Sequence, residues 1–420
     1  MVAQPSIIGS AHNGHTAHTG SGTTYYWLLG FGGTLNGNTA ITTESLAQTT
    51  HRAGATLSNL GCYVSANSRT NANTLRSRIN GSNGNQAASI TALTTGFFVD
   101  TSNSDTIVSG DNVNASVVNG SGTQAITYQS IYAKLQPSGS YPIVYLHATG
   151  ASPSAGSAST VYRCPFAGAL GINMNSTSDT NADHHNRAAG TLTNFYIDVS
   201  TNARGTATSC GVRIGGSAGN NLVSVTAGAT GKVEDTTNSD SITNSSLVNL
   251  YVLTGTGTGA FNVRRIGAMF TGSSQSFDMN LGLPDTLQVL AGTTYFAPMF
   301  GRLENLNGNT NEASAQINMP FSGRASNLRM RFGLNNTSTT TTRLRKNGSD
   351  GNQAVSVAAG GSGFVEDTSN HDDFVAGDLL CYTKGSAGST SNTFNNIGMM
   401  ITQPAAVTSG DGGGLMQVVT

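Results

Sequence analysis

Three acid-bearing turns carry the residue types most suited to chemistry. Asp100, Asn103 and Asp105 recur as Asp235, Asn238 and Asp240, and again as Asp367, Asn370 and Asp372. Two carboxylates and an amide oxygen on one turn could contribute to a Ca²⁺ site, which takes six to eight oxygens. The spacing is not that of an EF-hand. Asp and Asn also close turns by bonding their own backbone, and turn chemistry is the preferred reading.

Other constellations are weaker. Glu234-Asp235 and Glu366-Asp367 suggest a glycosidase pair, but neighbours on a strand point to opposite faces, and the first copy has Val99-Asp100 there. His12, His15 and His18 are spaced for convergence on a metal in a trimer, but a solvated arm is the preferred reading. His184-His185 falls in a stretch read as a loop, STSDTNADHHN. Arg329 and Arg331, then Arg343 and Arg345 with Lys346, read as basic side chains on one face of two strands. They are candidates for docking an acidic partner, or simply a solvated sheet face. Tyr25-Tyr26-Trp27 is a dense aromatic cluster, read as a core strand or as a sugar-stacking platform.

Some motifs are compositional accidents. GATGK, from Gly228 to Lys232, is too short for a phosphate loop, and Val233 stands where Ser or Thr must bind Mg²⁺. Sequons such as Asn114-Ala115-Ser116 follow from the abundance of Asn, Ser and Thr. Cys62, Cys164, Cys210 and Cys381 show no CxxC spacing and read as buried thiols rather than a disulfide or zinc site. No catalytic residue, cofactor or enzymatic activity is expected.

The elements that position these residues are legible as repeats. RINGSNGNQAASITALTTGFFVDTSNSD begins at Arg78; RIGGSAGNNLVSVTAGATGKVEDTTNSD begins at Arg213; RKNGSDGNQAVSVAAGGSGFVEDTSNHD begins at Arg345. A period of roughly 130 residues makes each copy a domain rather than a solenoid repeat. Inside the copies Ala88, Ile90 and Ala92 alternate with polar residues, as do Val223, Val225 and Ala227, and Val355, Val357 and Ala359. Such alternation marks strands with one buried face. Gly, Asn, Ser and Asp clusters punctuate them as turns. The sequence predicts a polar N-terminal arm over 1–22 and three domains over 23–138, 139–284 and 285–420.

Charged residues make up 10% of the 420 residues, against about 25% in ordinary soluble domains. The net charge of −1 gives no electrostatic reason to bind nucleic acid or an anionic membrane. No apolar run is long enough to cross a bilayer as a helix. The first residues show no signal peptide, so synthesis and assembly in a host cytoplasm are expected.

The pattern R-x-NG, an alternating strand, AG-x-TG, a D-T-x-N turn and a later G-D resembles the trimeric jelly-roll domains of the C1q and tumour-necrosis-factor-like class. Spore-surface glycoproteins and phage fibre or head-decoration proteins carry such domains. The second copy departs from the pattern, with Asn244-Ser245-Ser246 where the others have Gly-Asp. The resemblance implies an all-β chain of three tandem jelly-roll sandwiches, pseudo-threefold within a chain or stacked in a homotrimer. The functional expectation is a structural protein of a virion surface, a bacteriophage capsid-decorating or fibre-type subunit in contact with the major capsid protein. The alternative is a carbohydrate-binding adhesin for host attachment, with a glycan as partner.

Overall fold

The computed structural model describes residues 4–11, 18–30, 41–149, 157–163, 165, 179–282, 287–289, 292–302, 309–334, 338–386 and 390–403. The first unit contains β1 (Ser6–Ala11), β2 (Thr24–Leu28), β3 (Thr49–Thr50), β4 (Ala55–Asn67), β5 (Asn73–Ile79), β6 (Ser82–Ile90), β7 (Gly96–Val99), β8 (Ser104–Ile107), β9 (Asn112–Val118) and β10 (Ile126–Pro137). The second contains β11 (Ile143–Thr149), β12 (Thr160–Arg163), β13 (His184–His185), β14 (Gly190–Asn202), β15 (Thr208–Ile214), β16 (Ser217–Val225), β17 (Gly231–Glu234), β18 (Ser239–Ile242), β19 (Leu247–Leu253) and β20 (Phe261–Gly272), with a short helix α1 (Asp179–Ala182) before β13. The third contains β21 (Ser276–Gly282), β22 (Leu287–Val289), β23 (Tyr295–Ala297), β24 (Gly301–Arg302), β25 (Ile317–Asn318), β26 (Gly323–Leu334), β27 (Thr340–Lys346), β28 (Ser349–Val357), β29 (Gly363–Phe374), β30 (Leu379–Ser386) and β31 (Thr390–Thr402).

The first unit forms two sheets, ordered β1-β10-β4-β7 and β2-β9-β5-β6. The second repeats this as β11-β20-β14-β17 and β12-β19-β15-β16. The third repeats it as β21-β31-β26-β29 and β23-β30-β27-β28. In each, the first strand lies beside the last, and β2, β12 and β23 lie beside β9, β19 and β30, which is the double Greek key of a jelly roll. The chain is three jelly-roll sandwiches in tandem.

Local chemistry sets the register. Asn80 and Gly81 both take positive φ, 51° and 80°, as do Gly215 with Gly216 and Asn347 with Gly348. Positive φ at two successive residues gives the tight hairpin whose twist matches its strands, and Asn-Gly or Gly-Gly adopts it at least cost. The alternation then places Gln86, Ala88 and Ile90 of β6 inward, and Val223 and Val225, and Val355 and Val357, likewise.

An acid on the short helical turn before β3, β13 and β25 grips an arginine of β5, β15 and β27 respectively. Arg78 donates to Glu44, Arg213 to Asp179 and Arg345 to Glu312. Each guanidinium also covers an aromatic ring, Tyr26, Tyr162 and Phe296 respectively, at 5.3–5.9 Å.

Three expectations are corrected here. Residues 6–11 are not part of an arm: Ser6–Ala11 is a core strand paired along β10, with Ile7 and Ile8 fully buried. The third unit starts before residue 285, because β21 pairs with β31 from Ser276↔Thr402 onward. The arginines 329 and 331 lie on β26 and the arginines 343 and 345 on β27, in different sheets, so they share no face.

The cores are not separate. Leu57, Cys62, Val64, Val117 and Ile131 centre the first, while the cores of the second and third run together and reach Ile7, Phe97 and Val99 of the first. The three sandwiches therefore close on one another within one chain.

Candidate functional site

The acid-bearing turns use their carboxylates on backbone. Asp100 accepts from the backbone N–H of Ala87 at 2.7 Å, Ser102 at 3.0 Å and Asn103 at 3.1 Å, and from Asn103 Nδ2 at 2.9 Å. Asp235 and Asp367 repeat the arrangement with Leu222, Thr237 and Asn238, and with Ala354, Ser369 and Asn370. Burial opposes ionisation of Asp235, but the bonds from Asn238, Leu222 and Thr237 outweigh it and hold its carboxyl below the usual range. Asn103, Asn238 and Asn370 direct Nδ2 at the acid, so they act as donors there.

The second acid of each turn holds the start of the neighbouring strand. Asp105 takes Ser77 Oγ and the Asn85 N–H, both at 2.5 Å; Asp240 takes Asn220 and Asn221; Asp372 takes Asn352 and Gln353. The approach is close enough to demand glycine: a Cβ at Gly84, Gly219 or Gly351 would lie 2.7 Å from the acid's oxygen. Among the described residues no cluster of three His, Cys, Asp or Glu is placed to hold a metal. Asp235→Ala would strand several N–H donors and is expected to lower stability by about 1–3 kcal/mol. Denaturant unfolding measures this, and added Ca²⁺ or chelator should leave the midpoint unmoved.

The histidine and aromatic expectations need revision. His12 and His15 lie outside the described residues. His18 is buried, ringed by Tyr25, Trp27 and Tyr128 at centroid distances of 4.6–5.6 Å. Burial, then the Arg69 charge, push its pKa down to about 4. Trp27 is 4% exposed and cannot stack on a sugar, while the half-buried Tyr26 ring is covered by Arg78. Cys62, Cys210 and Cys381 are buried; Cys164 lies outside the described residues.

The basic quartet divides into three roles. Arg329, 1% exposed, is ion-paired with Asp278 at 2.9 Å and cannot dock a partner. Arg331 is half-buried and faces Asp183. Arg345 is held by Glu312 at 2.9 Å and Asp350 at 2.6 Å. Arg343 alone remains exposed, with Asp350 at 3.8 Å.

The chemically densest places are the joints between sandwiches, which the repeats make directly comparable. At the first joint Arg52 forms a two-pronged pair with Glu234, its backbone N–H donates to Tyr145 Oη at 2.9 Å, and His51 packs on Tyr145 at 4.3 Å. Lys232 also reaches Glu234 at 3.0 Å and Thr50 at 3.2 Å. At the second joint Arg187 pairs with Glu366 at 2.5 and 2.6 Å, and its N–H donates to Asp278 at 2.9 Å. His185 stacks on Phe364 at 3.6 Å, and Asn396 donates to the Asp183 carbonyl at 3.2 Å.

His184 is not a loop residue: it is buried in β13 against Asp278 and Arg329. The same nitrogen, His184 Nε2, lies 3.1 Å from the Arg329 guanidinium and 3.2 Å from the Asp278 carboxylate. Burial drives the His184 pKa down to about 4, against the pull of Asp278.

The third joint, from the third sandwich back to the first, substitutes each partner. Pro320 stands where the others have Arg52 and Arg187, Val99 where they have Glu234 and Glu366, and Ile7 where they have Tyr145 and Asp278. The changes are matched: proline has no N–H to donate, and isoleucine has nothing to accept with. Ile7 and Val99 join the apolar cluster of the third sandwich, and Tyr63 bonds Ser314 at the rim. Installing the missing pair, Pro320→Arg with Val99→Glu, is expected to give a double variant more stable by about 1–3 kcal/mol than the two single effects summed. A double-mutant cycle in urea checks it.

The buried arginines Arg69 and Arg204 escaped the sequence reading. Arg69 donates to the carbonyls of His18, Gly20, Gly120 and Gly122 at 2.9–3.3 Å, and Arg204 to that of Gly257. Both follow an Asn whose side chain caps the arginine N–H at 3.1 Å, and this recurrent Asn-x-Arg was the available signal.

Fold and joints together define a single-chain, pseudo-threefold ring of jelly-roll sandwiches. No protein-family model and no curated protein matches the chain. Among solved structures, one reported as the triple jelly roll fold and turret assembly in an archaeal virus aligns over 94% of this chain and 91% of its own, at 12% identity and a TM-score of 0.19. One of Sulfolobus turreted icosahedral virus aligns over 85% and 82%, at 11% identity and a TM-score of 0.17. Scores this low carry no weight for the role of the chain.

Proposed function

We propose that the chain is a structural subunit of a virion surface, a capsid-decorating or fibre-type protein that extends or stabilises the particle through protein contacts. On this reading it is a one-chain counterpart of the trimers that C1q-like jelly rolls form from three. The observation that carries the proposal is the closed ring, in which many of the described acids, arginines and histidines hold turns and joints. Acids close backbone turns, arginines bridge sandwiches, and the imidazoles at the joints are packed against neighbours. A low-charge exterior suits dense lattice packing, where long charged side chains would lose entropy and solvation.

Mass spectrometry and electron cryomicroscopy of purified, salt-washed particles from the source of this chain test the proposal. Copies in fixed ratio to the major capsid protein, with three-lobed density on the particle exterior, are expected. Absence from washed particles overturns it.

A further inference from the structure

The three outward sheet faces are built on one register and diverge at several positions. Arg343 of the third sandwich corresponds to Arg76 in the first and Gly211 in the second. Thr383 corresponds to Ser116 and Tyr251, Gly385 to Val118 and Leu253, and Asp350 to Asn83 and Ala218. In the second sandwich the face is filled: a Cβ at Gly211 would meet the Tyr251 ring at 3.0 Å and Leu222 at 3.3 Å. In the first, Val118 occupies the place of Gly385 and Asn83 that of Asp350.

The third face alone combines an open floor with a donor and an acceptor. A groove of about 420 Å³ is lined by Thr294, Thr341, Arg343, Asp350, Thr383 and Gly385, within the roughly 300–1,000 Å³ range of small-molecule sites. Arg343 and Asp350 are each about half exposed, 44% and 51%, and sit 3.8 Å apart, too far for a direct hydrogen bond. Arg345 is engaged by Glu312 and donates to Asp350 Oδ1 at 2.6 Å, so Asp350 Oδ2 is the oxygen that faces Arg343.

From this geometry we infer that the groove binds an uncharged saccharide. A vicinal diol accepts a hydrogen bond from the Arg343 guanidinium while donating one to the Asp350 carboxylate, and threonine hydroxyls serve as either partner. Arg343 and Arg345 together face two carboxylates, Asp350 and Glu312, so the groove does not select for anions. Binding would give a particle-surface protein a means of attachment, but the site stands whether or not the chain is on a particle.

The test uses the full chain on an immobilised array of neutral hexose and N-acetylhexosamine oligosaccharides beside acidic ones, with hits confirmed by saturation-transfer NMR. Neutral glycans should be retained, with binding little changed between about 50 and 500 mM salt. Arg343→Ala should weaken binding about tenfold or more. Gly385→Leu, copying the second sandwich, should abolish binding without unfolding, because a Cβ there meets nothing within 4 Å. Retention of no neutral glycan, retention of acidic glycans alone, or binding unaffected by Gly385→Leu would overturn the assignment. None of these outcomes bears on whether the chain is found on washed particles.

Discussion

Asp278→Ala is expected to remove about 3–5 kcal/mol of unfolding free energy, the range for breaking a buried ion pair from one side. Asp278 is 3% exposed and Arg329 1%. The carboxylate collects the Arg329 guanidinium, the Arg187 N–H and the edge of His184 on one oxygen. Burial opposes its ionisation, but Arg329 prevails and keeps the carboxyl below its usual range. Without it Arg329 keeps its charge in a dry joint. Truncating both partners to apolar residues of similar volume, Asp278→Leu with Arg329→Met, should recover much of the loss, since no bare charge is left behind. Urea unfolding of the three variants tests the ordering. An Asp278→Ala midpoint within about 1 kcal/mol of the parent would show that the joint is not held this way.

Acid should open the molecule well above the pH at which ordinary carboxylates titrate. His18 and His184 have pKa values lowered to about 4, and His51 to about 3, burial being the largest cause in each. His51 also feels Asp111, which pulls the other way and does not win. The unfolded chain protonates these imidazoles near pH 6.5 and the folded chain does not. Between those values the unfolded state binds more protons, so stability is complete above about pH 6.5 and is lost as pH falls toward 4. Each imidazole contributes about 1.4 kcal/mol per pH unit inside its window. Below it, protonation of Glu234 and Glu366, whose carboxyls the joint arginines hold low against burial, adds to the loss. Unfolding free energies at several pH values from 7.5 to 4.5 give the slope, and His51→Phe should reduce it by one proton. A flat profile across that range would refute the account.

Most of the fold was legible because a period of two and a repeated turn chemistry are local properties. Asn80-Gly81 and Asn347-Gly348 announce their hairpins, and Ala88-Ile90 and Val355-Val357 show which face goes inward. The errors came from residues whose roles are set by partners far along the chain. Ser6–Ala11 is short and Gly- and Ser-bearing, so nothing local marks it as a strand until β10 is beside it. Arg329 and Arg343 look alike in sequence; one is sealed against Asp278, two strands away in its own sheet, and the other meets solvent. His184 reads as a loop residue because its burial comes from the next sandwich. The groove on the third outward face depended on glycine, which among 53 glycines gives no signal until the three faces are set in one register.

The unequal joints bear on how the chain keeps count. Had all three been alike, a chain sprung open at any seam would accept a sister molecule's sandwich as readily as its own, and filaments would compete with rings. Here the last seam meets Pro320 with Val99 and Ile7, whereas Arg52 and Arg187 each require an acid. A sandwich arriving out of turn would bury a guanidinium against aliphatic side chains. The closing seam is thus chemically marked off from the two that precede it.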